Sequence, residues 1–100
     1  MAPVEFLQSW YLAQCNDEWE HTRGVTIESL DNPGWQVTID LIGTPLENES
    51  MPALRQERSP RDWLVCEIER NQFRGAGDGL KFIAILEVFQ NWASKTAKVE

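Results

Sequence analysis

Basic residues are scarce in this chain, and cysteine and histidine are scarcer. Nine Lys and Arg stand against sixteen Asp and Glu, a formal charge of -7. The cations are spread singly, without the basic stripe that grips a phosphate backbone, which argues against nucleic acid as a ligand. Anionic lipid is repelled by the same field, and no stretch approaches the eighteen or so apolar residues of a membrane-crossing helix. Two cysteines far apart, Cys15 and Cys66, form neither a CxxC pair nor a disulfide framework, and read as buried free thiols of an intracellular protein. With His21 as the single histidine, any Ser-His-Asp or Cys-His mechanism has to pass through it. Residues 1–12 lack a basic n-region, carry Glu5 and are interrupted by Gln8 and Ser9, so neither a signal peptide nor an anchor is expected, and the expected location is the cytoplasm.

What the chain does have is apolar material. Of its 100 residues, 42% are hydrophobic and 10% aromatic, enough to offset the entropy of folding one domain over residues 1–100 but not two. The favoured partner of such an acidic domain is a basic protein surface.

Along the chain, Pro3 suits a first helical turn, and Val4, Phe6, Leu7, Trp10, Tyr11 and Cys15 recur at spacings of three and four, which predicts a helix over 3–15. A polar loop at 16–18 follows. From Val25 the period becomes two: Val25 and Ile27, then Trp35, Val37, Ile39 and Leu41, alternate with polar residues. Asp31-Asn32-Pro33-Gly34 between them carries the residues of a tight reversal, so a β-hairpin is predicted. Thr44 to Met51 reads as the longest surface loop. An edge strand of alternating charge over 53–58, a turn at 59–62, a strand over 63–69 with Leu64, Cys66 and Ile68 on one face, and a short strand over 72–74 come next. Gly75-Ala76-Gly77-Asp78-Gly79 breaks the strand pattern and offers Asp78 as the N-cap of a helix over 79–94, whose apolar stripe includes Phe82, Ile85, Leu86, Phe89 and Trp92. The tail from Lys95 to Glu100 is polar and expected to fray. The predicted fold class is α+β: an N-terminal helix, an antiparallel meander of four to five strands and a C-terminal helix, with both helices packed on one face of the sheet.

Three constellations carry possible chemistry. Asp17, Glu18, Glu20 and His21 could offer ligands to a divalent metal, or acid and base groups, but their spacing matches no metal motif and a solvated acidic loop is the favoured explanation. The glycine-rich run at 75–79 precedes a helix yet lacks the Lys-Ser/Thr ending of a phosphate loop, and Asp78 would repel a phosphate there. Neither a cofactor nor a metal is expected. Of the five tryptophans, Trp10, Trp63 and Trp92 fall on apolar faces and are expected in the core. Trp19, amid carboxylates, and Trp35, after the turn, are instead the aromatic anchors expected at an interface. With Asp17, Glu18, Glu20 and Asp31 they form the expected partner-binding set.

The segments Trp10-Tyr11-Leu12-Ala13-Gln14-Cys15, Asp17-Glu18-Trp19-Glu20-His21, Leu30-Asp31-Asn32-Pro33-Gly34-Trp35 and Ile39-Asp40-Leu41 together resemble the immunity protein 53 family of bacterial polymorphic toxin systems. The likeness continues through Glu57-Arg58-Ser59, Asp62-Trp63, Cys66 and Phe73-Arg74-Gly75-Ala76-Gly77 to Ile85-Leu86-Glu87-Val88-Phe89 and Trp92. The Trp-Glu step and the Leu-Asp-Asn-Pro-Gly-Trp turn are its most specific parts. The resemblance implies a protein encoded beside a toxin that binds and blocks it: inhibition rather than turnover, with a cognate toxin, such as a basic nuclease, as partner. A small metal-dependent or acid-base enzyme using Asp17, Glu20 and His21, and a generic interaction module, are the competing classes.

Overall fold

The computed structural model describes residues 1–96. Helix α1 (Pro3–Gln14) begins with Pro3 in the first turn, where its missing N–H costs no hydrogen bond. A one-turn helix α2 (Trp19–Thr22) follows. Five strands come next: β1 (Val25–Leu30), β2 (Gly34–Asp40), β3 (Leu54–Ser59), β4 (Asp62–Glu69) and β5 (Gln72–Asp78). Helix α3 (Phe82–Thr96) closes the described chain. The part of the tail at 97–100 lies outside the described residues, and Lys95 and Thr96 still belong to α3.

All pairings are antiparallel, and the α+β class is as expected, with α3 laid on the sheet. The strand order is β1-β2-β5-β4-β3. Two sequential runs, β1-β2 and β3-β4-β5, thus join where β2 pairs with β5, and the segment at 41–53 carries the chain from the middle of the sheet to its far edge. The hairpin at 31–33 forms as expected, with Leu30 opposite Gly34. In the β4–β5 turn, Arg70 and Asn71 both have positive φ, 53° and 57°, the backbone that matches a two-residue turn to strand twist.

Alternation sorts the strands into two faces. Val37 and Ile39 of β2, Leu64 and Cys66 of β4 and Phe73 of β5 are buried toward α3, which returns Ile85, Leu86, Phe89, Trp92 and Ala93. Helix α1 seats on α3, with the Phe6 and Trp10 rings 6.1 and 5.2 Å from that of Phe89. Burial pushes the Cys66 thiol up to about 12, so this sulfur is inert packing, not a nucleophile. The opposite face of the sheet carries polar residues, with Arg74 near Glu69 at its centre.

Three expectations need correction. β5 does not stop at Arg74 but runs to Asp78, because Gly75 and Gly77 face the helix layer. A Cβ on Gly75 would collide with Cγ2 of Ile85, and one on Gly77 would sit 2.6 Å from Cβ of Lys81. The glycines let α3 lie close to β5; they do not break the strand. Asp78 ends β5 and is not the helix N-cap, since α3 begins four residues later. The segment at 44–51 is also not wholly on the surface. Leu46 is fully buried, and the buried Thr44 hydroxyl donates to the Leu41 carbonyl (2.8 Å) while accepting from the Leu46 N–H (3.0 Å). Trp92 Nε1 anchors the same segment by donating to the Ser50 carbonyl at 2.9 Å.

The close approach yields a prediction. Gly75→Ala should destabilise the domain by about 1–3 kcal/mol through overpacking, although alanine is ordinarily the better strand residue. Adding Ile85→Ala should make the pair less costly than the sum of the single changes, because the colliding methyl is gone. Urea unfolding of the four proteins in the cycle checks this; strict additivity would contradict it.

Candidate functional site

The six residues read from the sequence as partner-binding do not form one patch. Asp17, Glu18, Trp19 and Glu20 lie at the junction of α1 and α2, beside the C-terminal end of β2, where Trp19 Nε1 donates to the Ile42 carbonyl at 2.8 Å. Asp31 lies in the hairpin at the other end of β2, and Trp35 follows it. The seven residues of β2 separate these groups by about 20 Å.

The junction is built from within. Asp17 has φ 74°, a left-handed conformation that Asp tolerates. The Asn16 side chain accepts from the N–H groups of Glu18 and Trp19 (3.0 and 2.9 Å), closing the turn that leads into α2. The Glu20 carboxylate reaches back to accept from the N–H groups of Asn16 (2.9 Å) and Asp17 (2.7 Å). Backbone N–H donors, its own first and then those of Asn16 and Asp17, hold the Glu20 carboxyl below its ordinary value. Both oxygens of Glu20 therefore serve the turn. The arrangement is a folded corner, and among the described residues no group of three or more His, Cys, Asp or Glu side chains is disposed to hold a metal ion.

Trp19 is not the exposed anchor expected of it. It is 6% exposed, edge-on to Trp10 at 6.2 Å and tilted on Tyr11 at 5.9 Å. A large indole is buried among carboxylates because the acids turn outward while the ring wedges between α1 and the segment at 42–43, its one polar atom satisfied. Trp35 is half-buried against Phe82 (5.2 Å) and donates to the Gly79 carbonyl at 3.1 Å. Trp63, expected in the core, is instead half-buried on the polar face of the sheet. There it helps line an open depression of about 710 Å³ with Pro33, Glu57, Pro60 and Arg61.

Beneath that end, Lys81 Nζ bridges Asp62 (2.8 Å) and Asp78 (2.6 Å), and Asp78 also accepts from the N–H groups of Trp63 (2.8 Å) and Leu80 (2.9 Å). The hydrogen bond from Lys81, then that from the Leu80 N–H, hold the Asp78 carboxyl down at about 2, against the opposing effect of burial. A carboxyl with a depressed value in the folded state stabilises the fold above its ordinary value near 3.8, and that contribution is lost as pH falls toward about 2. Asp78→Asn should therefore lower the melting temperature at pH 7, and the gap from the parent should narrow steadily between pH 4 and pH 2. A gap independent of pH would contradict this role.

The strongest electrostatic feature is an asymmetry that the whole-chain charge conceals. Residues 1–50 hold nine carboxylates and only Arg23 as a cation, a net of -8; residues 51–100 hold seven carboxylates and eight Lys and Arg, a net of +1. The fold keeps much of this apart: β1 and β2 lie on one side of β5 and β3 and β4 on the other, while the segment at 41–50 passes beside the β4–β5 turn, where the Asn48 N–H donates to the Asn71 side chain. On the far side the charges pair internally, Arg55 with Glu57 at 2.7 Å and Arg58 with Asp62 at 3.8 Å. Within residues 1–50, Asp17, Glu18, Glu28, Asp31, Glu47 and Glu49 are exposed with no basic side chain within salt-bridge distance among the described residues. Counting charge by halves would have added Glu28, Glu47 and Glu49 to the expected set.

A family model described as Immunity protein 53 matches residues 4–94, nearly the whole chain. The chain belongs to the Immunity protein 53 family. The match runs from α1 through α3, so it takes in both the corner around Trp19 and the acidic half of the sheet. No curated protein and no solved structure matches the chain. Family membership makes this an immunity protein, and a protein of that kind has a toxin as its partner.

Proposed function

We propose that this chain binds a cognate bacterial toxin in the cytoplasm and neutralises it stoichiometrically by covering the toxin's working surface, without itself catalysing a reaction. The observation that carries the reading is the family match over residues 4–94. The charge asymmetry extends it: a net of -8 in residues 1–50, left unpaired on the surface, complements a basic toxin surface of the kind that nuclease toxins use to hold phosphate. Of the sequence-derived set, Asp17, Glu18, Asp31 and Trp35 remain the proposed contacts, joined by Glu28, Glu47 and Glu49, while the Glu20 carboxylate is committed to its own turn.

Two measurements test the reading at different depths. Co-expression with the toxin encoded beside the gene should restore growth, and continued killing despite soluble expression of both proteins would refute inhibition. The basic character of the toxin is tested by replacing Asp17, Glu18, Glu28 and Glu49 together with their amides. That change should slow association about tenfold or more at low salt and have little effect at high salt. Equal association rates at low salt would show that these acids do not steer the encounter.

A further inference from the structure

The two edges of the sheet are guarded unequally. β3, at one edge, carries Arg55, Glu57 and Arg58, and its register slips between Glu57 and Ser59, devices that discourage another strand from pairing. β1, at the other edge, has no register slip and a single charge. Its six residues, Val-Thr-Ile-Glu-Ser-Leu, hold one charge and no proline, and pair with β2 in unbroken register from Val25 to Leu30. Thr26, Ile27, Glu28 and Ser29 are all exposed, Ile27 at 46%, so no helix covers the middle of the strand. Every second residue of an edge strand turns its N–H and C=O outward. Among the described residues, nothing outside the β1–β2 ladder hydrogen-bonds to Thr26, Ile27, Glu28 or Ser29.

A straight, unguarded edge rich in Val, Thr and Ile is a template for an added strand. A second copy of this chain is a poor occupant, because edge-to-edge pairing would bring two halves of net charge -8 together. An extended segment bearing Lys or Arg meets the opposite field, with Glu28 on the strand itself and Asp31 just beyond its end. We propose that the free edge of β1 receives an extended basic strand of the toxin, which joins the sheet as a sixth strand. Backbone hydrogen bonds would supply affinity, and the flanking carboxylates would select for positive charge. This rests on the immunity reading above and specifies the surface used.

Hydrogen exchange of the full chain, alone and bound to the adjacent toxin, tests it. The outward amides of β1 should exchange freely in the unbound chain and slow about tenfold or more in the complex. Thr26→Pro and Ile27→Pro, made separately, supply the second test, because only one of two neighbouring residues sends its N–H to β2. The variant that keeps the parent's melting temperature should lose about tenfold or more in toxin affinity, whereas Gln56→Lys on β3 should not. A complex with β1 exchange unchanged, or a well-folded proline variant of undiminished affinity, overturns the edge proposal and leaves toxin binding intact. Failure of the parent chain to bind the toxin overturns both. Protection of β1 that grows with the concentration of the chain alone would assign the edge to self-association and likewise overturn it. The exchange measurement needs no variant, so the test stands if neither proline substitution folds.

Discussion

Replacing Phe89 with alanine should cost about 3–5 kcal/mol, the range for deleting a buried aromatic ring. This side chain is fully enclosed, and its ring stands 5.2 Å from Phe73 of β5, 5.2 Å from Trp10, 6.1 Å from Phe6 and 6.2 Å from Trp92. It is the residue through which α1, α3 and the sheet meet, so its loss leaves a cavity that no single element can collapse into. Domains of this size are stable by about 5–15 kcal/mol, and each kcal/mol is worth roughly 4–8 °C in melting temperature. The variant should therefore melt some tens of degrees below the parent. A shift of only a few degrees by circular dichroism would mean that the three layers do not share this centre.

Trp19→Ala should be nearly as damaging, at about 3–5 kcal/mol, and through stability instead of binding. The ring closes the corner between α1 and the segment at 42–43, and its N–H is spent on the Ile42 carbonyl. Trp19→Phe separates the contributions: it keeps most of the packing and should cost about 1–3 kcal/mol, chiefly from a carbonyl left without its donor. Urea titrations of both variants alongside toxin affinity decide the matter. If Trp19→Ala kept its unfolding midpoint and lost only toxin binding, the ring would be an interface anchor after all.

These two residues show what the sequence could and could not disclose. Phe89 belongs to a wide apolar stripe at helical spacing, a local pattern legible without coordinates. So were the hairpin at 31–34, signalled by alternation on both sides of a turn, and the inward set Leu64, Cys66 and Ile68. Trp19 was misread because its sequence neighbours are acids, whereas its spatial neighbours are Trp10, Tyr11 and Ile42, supplied by a chain reversal at Asp17 that has no periodic signature. Trp63 was misread for the opposite reason. Its phase along β4 places it with Val65 and Glu67 on the polar face, and hydrophobicity outweighed phase. The extent of β5 was hidden because glycine has no side chain to alternate; its purpose shows only once Ile85 is seen packed over it. Strand order was out of reach as well, since the pairing of β2 with β5 joins residues more than thirty positions apart. The division of charge between halves needed no structure, only a count by segment instead of over the whole chain.

That division also separates how the toxin would be recognised from how the domain stays folded. The unpaired carboxylates lie outside the core and can change with little effect on packing, whereas the aromatic cluster around Phe89 tolerates little.

The most direct measurement is a titration of the purified cognate toxin with the purified chain, following toxin activity as the ratio of the two rises. Activity should fall in proportion to the chain added and vanish near equimolarity, with no product formed by the chain alone. A toxin that remains fully active in excess chain, or a chain that must turn over a substrate to protect, would contradict inhibition by occlusion.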